Sequence, residues 1–113
     1  MEQYYKLDRV RELADNDTDF VLALAKTFID EVSVDIDSLK TTVENKDYQD
    51  TYQLAHKMKP TIDLFELGVL DEIIEVQDWG KYQKIDIDIK KQFEQVVIAV
   101  DKALKEIKLD FNL

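Results

Sequence analysis

Two glycines and one proline in 113 residues leave this chain with almost nothing to interrupt a helix. A turn-rich β fold needs more of both, and apolar side chains recur three or four apart along nearly the whole length. A short opening segment, Tyr4 to Leu13, sets Tyr4, Leu7, Val10 and Leu13 on one small face. The acidic run Asp15-Asn16-Asp17-Thr18-Asp19 then offers side-chain acceptors for the start of a second helix, expected over about residues 18–44. Its stripe is Val21, Leu24, Phe28, Val32, Leu39 and Val43, with Ile36 filling the middle.

Asn45-Lys46-Asp47 breaks the pattern and can cap a third helix, and Gly68 suits the end of that helix or a sharp turn. Val69, Leu70, Ile73, Ile74 and Val76 predict a short fourth helix with Asp78-Trp79-Gly80 as its exit. A last helix starts near Asp86 or Asp88 and carries Ile89, Phe93, Val96, Val97, Val100, Leu104 and Ile107. The segment Ile85 to Ile89 alternates like a strand but has no second strand to pair with. The expectation is all-α: residues 1–113 as one domain, an antiparallel up-down four-helix bundle with a short additional N-terminal helix. Trp79 and the five tyrosines read as packing and rim residues.

The formal net charge of −10 argues against nucleic-acid or membrane-surface partners, since such a surface repels phosphate. Zero cysteines remove disulfides, thiolate zinc sites and cysteine nucleophiles together. Met1-Glu2-Gln3-Tyr4-Tyr5-Lys6 lacks the basic-then-apolar layout of a secretory signal, so a cytoplasmic protein is expected. No surplus apolar surface calls for a dimer, and a monomer is expected. The many acidic residues lack metal-loop spacing and read as solvated faces and caps. No Gly-rich phosphate loop or nucleotide motif is present, so neither ATP binding, nor a cofactor, nor a catalytic apparatus of its own is expected.

What remains is one histidine. Ala55, Met58, Ile62 and Phe65 form the apolar stripe of the third helix, and His56 falls roughly 160° from its centre at 100° per residue. Lys59 and Asp63 share its side, and Gln53 and Pro60 flank it. An imidazole can offer an unprotonated nitrogen near neutral pH, and Lys59, one turn on, can pair with an anionic group attached to it. Lys57 points about 100° away and adds to the local positive field. Pro60 supplies no N–H to the His56 carbonyl, so the helix is expected to kink or loosen there, or to end near Lys59. A surface His-x-x-Lys also arises by chance, and a kink need have no chemical role.

Leu54-Ala55-His56-Lys57-Met58-Lys59, followed by Gly68, Val69 and Leu70, resembles the signature of the histidine-containing phosphotransfer (HPt) domain, and the likeness extends over essentially the whole chain. The resemblance implies that His56 accepts a phosphoryl group from the aspartate of one receiver domain and passes it to another. Such receivers belong to response regulators or hybrid sensor kinases. Lys59 would steady the phosphoryl group, and Gln53, Lys57, Pro60 and Asp63 would border the docking surface. The chain departs from the pattern twice: Pro60 stands where a small residue commonly follows the lysine, and Glu66 stands where the glycine usually falls. The alternative is a helical module that docks on a receiver or kinase without carrying phosphate. A purely structural adaptor is a third possibility.

Overall fold

Five α-helices and no strand form among residues 2–113, the residues that the computed structural model describes. They are α1 (Asp8–Leu13), α2 (Thr18–Glu44), α3 (Tyr48–Leu64), α4 (Leu70–Lys81) and α5 (Lys90–Phe111). Each of α2 to α5 packs on its neighbour in sequence, and α5 closes the ring against α2. The result is a four-helix bundle, 46 × 22 × 20 Å, with α1 laid beside α2. No helix of the described residues is long and apolar enough to cross a membrane.

The periodic apolar positions face the bundle axis. Val21, Phe28, Val32, Ile36 and Leu39 of α2 are buried, and Leu24 and Val43 sit half-buried at the rim. Ala55, Met58 and Ile62 meet them from α3, Ile73 and Val76 from α4, and Val96, Val100, Leu104 and Ile107 from α5. Asp17 caps α2, its Oδ1 accepting from the backbone N–H groups of Asp19 and Phe20. Asp47 does the same for α3 through Asp50. In both places a short acidic side chain satisfies amide protons that the first helical turn leaves unpaired.

The N-terminal stretch differs from expectation. Tyr4 and Leu13 point outward, and the helix does not begin until Asp8. Residues 2–7 run as a strap instead. Glu106 Oε1 of α5 accepts from the backbone N–H groups of Gln3 and Tyr4, both at 2.8 Å. The buried Tyr5 hydroxyl donates to Asp110 at 2.8 Å, and Lys6 N–H donates to the Phe65 carbonyl at the end of α3. Backbone bonding to two distant helices outweighs the weak local periodicity.

The ends of α1 at Leu13 and α2 at Glu44 fall where expected, and those of α3 and α4 do not. All five helices close on a non-glycine residue in the left-handed region: Asp15 after α1, Lys46 after α2, Glu66 after α3, Gln83 after α4 and Asn112 after α5, with φ of 51°, 54°, 51°, 49° and 56°. At each, that residue's N–H and the next one reach back to the last turn; after α3, Glu66 N–H bonds the Asp63 carbonyl at 3.1 Å and Leu67 N–H the Ile62 carbonyl at 3.2 Å. This bond pattern usually selects glycine. Here α3 ends at Leu64, four positions before Gly68, which supplies a further turn at φ +81°. Helix α4 runs through Gly80 to Lys81, so Asp78-Trp79-Gly80 is not its exit. Helix α5 begins later than Asp86 or Asp88, because residues 85–87 turn and bend and Asp88 Oδ1 accepts from Lys90 N–H. Nor does α3 end near Lys59; it continues past Pro60 to Leu64.

Gly80 serves packing. A Cβ there would lie 2.6 Å from the Tyr48 carbonyl oxygen and 2.7 Å from the Tyr52 backbone nitrogen. Only a bare α-carbon lets α4 approach the α3 backbone so closely. Trp79, beside it, is buried against Tyr48 with ring centroids 4.6 Å apart and donates its indole N–H to the Ile87 carbonyl.

Two stability changes of opposite sign follow. Glu66→Gly is expected to stabilise the fold by about 0.5–1 kcal/mol, the left-handed strain relieved less the chain entropy glycine adds when unfolded. Gly80→Ala is expected to cost about 1–3 kcal/mol by forcing two backbones apart. Urea unfolding of both variants checks the pair.

Candidate functional site

His56 stands on the outward face of α3, exposed, between the buried Ala55 and Met58. Its Nδ1 lies 3.2 Å from Oε1 of Gln77, which reaches across from α4. Gln77 is itself buried, and its Nε2 is turned toward Asp78 Oδ1 at 3.5 Å. With the amide in that orientation a carbonyl oxygen faces the ring, and a carbonyl oxygen only accepts. The contact is then a hydrogen bond when Nδ1 carries the proton, the tautomer that leaves Nε2 as the unprotonated nitrogen of the neutral ring. Among the described residues Nε2 has no hydrogen-bond partner.

Tyr52, one turn earlier on α3, lies beside the imidazole with ring centroids 5.7 Å apart. Lys59, one turn later, is half-buried along its stem and forms no ion pair among the described residues. The outward face of α3 thus gathers His56, Lys59, Gln53 and Pro60, the last two exposed.

Lys57 and Asp63 belong to other contacts. Lys57 turns toward α2, where its ammonium donates to Asp35 Oδ1 at 3.1 Å. Asp35 is one of the few buried polar residues, so it is not the solvated face residue its composition class suggests. Asp63 accepts from Arg9 of α1 at 3.0 Å, and the same guanidinium bonds the Asp63 carbonyl. These two pairs tie α3 to α2 and α1 and leave the imidazole's own side open.

Sequence reasoning missed Gln77. A signal was present: an amide on the inward side of α4, among Ile73, Val76, Trp79 and Gly80, has to find a polar partner when buried. No group of three His, Cys, Asp or Glu side chains gathers for a metal ion among the described residues. A cavity of about 760 Å³ near the α2–α3 turn is lined by Tyr48, Trp79, Ile87 and Phe93, and His56 is not part of it. The imidazole is presented on a surface, an arrangement suited to a reactant carried by another macromolecule. No family model matches this chain, and neither a curated protein nor a solved structure matches it.

Replacing the acceptor tests the tautomer. Nitrogen-15 NMR of the ring is expected to show a protonated Nδ1 in the wild type. In Gln77→Leu that preference, worth about 1 kcal/mol for one hydrogen bond, is lost. The same tautomer in both proteins would break the assignment.

Proposed function

We propose that this chain is a phosphohistidine carrier of the histidine-containing phosphotransfer type, a cytoplasmic relay module that accepts and donates phosphate without binding a nucleotide. One observation carries the reading: an exposed imidazole held by Gln77 at Nδ1, with Nε2 unengaged and an unpaired lysine one turn away.

The Nε2 lone pair attacks the phosphorus of an aspartyl phosphate on a receiver domain. The N–P bond forms as the acyl O–P bond breaks, and the receiver's carboxylate leaves with the electron pair. The ring becomes cationic and keeps its proton on Nδ1, shared with Gln77. No proton has to be gained or lost before the reverse step, so the group stays easy to pass on. Lys59 offers a charge-assisted hydrogen bond to the phosphoryl oxygens. Phosphoryl transfer asks for position and charge neutralisation more than covalent machinery, and a carrier meets that with few residues.

Of the two departures from the HPt pattern, one lies in residue type alone. Glu66 occupies the position of the usual glycine and adopts the left-handed backbone that glycine favours. Pro60 leaves α3 helical and stands exposed beside the reactive face, where it would shape the fit of a partner.

Incubation with a phosphorylated receiver domain is expected to give an acid-labile label on the wild type and none on His56→Gln. Lys59→Ala is expected to slow labelling about tenfold, the worth of one hydrogen bond to a charged group, with unchanged folding. Wild-type label on His56→Gln would refute the reading. Receiver binding without label, equal for wild type and His56→Ala, would favour the non-phosphorylated docking module.

A further inference from the structure

Helices α3 and α4 run past each other in opposite directions, and their contacts pair off turn by turn. Gln77 meets His56; Gly80 meets the backbone of Tyr48 and Tyr52. One turn beyond Gln77, about 6 Å along α4, comes Lys81. One turn before His56, by the same rise, comes Tyr52. The Lys81 ammonium lies 6.0 Å from the Tyr52 ring centroid and 5.3 Å from that of Tyr82. It forms no ion pair with a carboxylate among the described residues, in a chain carrying 25 acidic side chains against 15 basic ones. As the last residue of α4 it also sits where a helix holds positive charge favourably.

We propose that Lys81 is a second cation of the phosphoryl site. This rests on His56 being the phosphoacceptor. In the unmodified protein the ammonium rests against the tyrosine faces, a weak hold at an exposed place. Once His56 carries a dianionic group, Lys81 swings from Tyr52 toward it and donates a hydrogen bond to a phosphoryl oxygen. Lys59 and Lys81 then bracket the group from the two sides along α3, one from its own helix and one from the next. Because Lys81 reaches the site from α4, the depth to which Gly80 lets α4 approach sets the distance it must span.

The test uses phosphoramidate as a small phosphodonor, so that no partner protein is needed, with wild type, Lys81→Gln and Lys81→Arg. Phosphorus-31 NMR follows the phosphohistidine through a pH titration, and the labelling rate is measured alongside. Lys81→Gln is expected to slow labelling about threefold to tenfold and to move the phosphoryl titration to higher pH by about 0.5, as loss of a neighbouring cation requires. Lys81→Arg is expected to restore both. A merely structural lysine would leave the titration where it is. Wild type that labels, with a Lys81→Gln rate and titration equal to its own, would overturn the role of Lys81 alone. Wild type that takes no label at His56 would overturn this proposal together with the reading beneath it.

Discussion

The contact between Gly80 and the backbone of Tyr48 and Tyr52 sets the spacing on which the outer face of this bundle depends. With 2.6 Å between the place of a Cβ and the Tyr48 carbonyl, no other residue fits without moving a helix. That closeness brings Gln77 within hydrogen-bond reach of His56, seats Trp79 on Tyr48, and holds Lys81 over Tyr52. A glycine inside a helix costs roughly 1 kcal/mol relative to alanine. The burial of Trp79 and Val76 beside it offsets that cost.

The outward face of α3 is defined as much by what is tied down as by what is free. Lys57 is engaged by Asp35 and Asp63 by Arg9, so the charges flanking α3 fasten it to α2 and α1. The imidazole is fixed at one nitrogen only. A ring anchored at Nδ1 and open at Nε2 has a defined orientation, which under the proposed function would lower the ordering cost of an encounter with a receiver. A shallow, exposed site of this kind needs no cavity, and the 760 Å³ cavity near the α2–α3 turn plays no part in it.

Much of the fold was legible because apolar periodicity is a direct print of burial. The stripe of α2 and its start at Thr18 came through, as did the capping runs Asp15–Asp19 and Asn45–Asp47, within which Asp17 and Asp47 do the capping, and the outward placement of His56. The ends of α1 and α2 were placed, but those of α3 and α4 were obscured because the usual stop residue is missing there. Asp15, Lys46, Glu66 and Gln83 take left-handed backbone that the sequence marks only with glycine or asparagine as a rule. Gly68 makes the sharp turn that was one of its two readings, whereas Gly80, read as part of an exit, stays helical and makes room for a neighbour. Gln77 and the Lys57–Asp35 pair were hidden because both are contacts between residues more than 20 positions apart. Local spacing carries no record of which helix faces come together.

The proposed chemistry comes down to which ring nitrogen of His56 takes the phosphoryl group. Long-range proton–nitrogen-15 correlation of the phosphorylated protein, with phosphorus coupling, reads that atom directly. The account predicts phosphorus bonded to Nε2 with the proton retained on Nδ1. Phosphorus on Nδ1, or a phosphorylated protein whose His56 ring signals are unchanged, would contradict it.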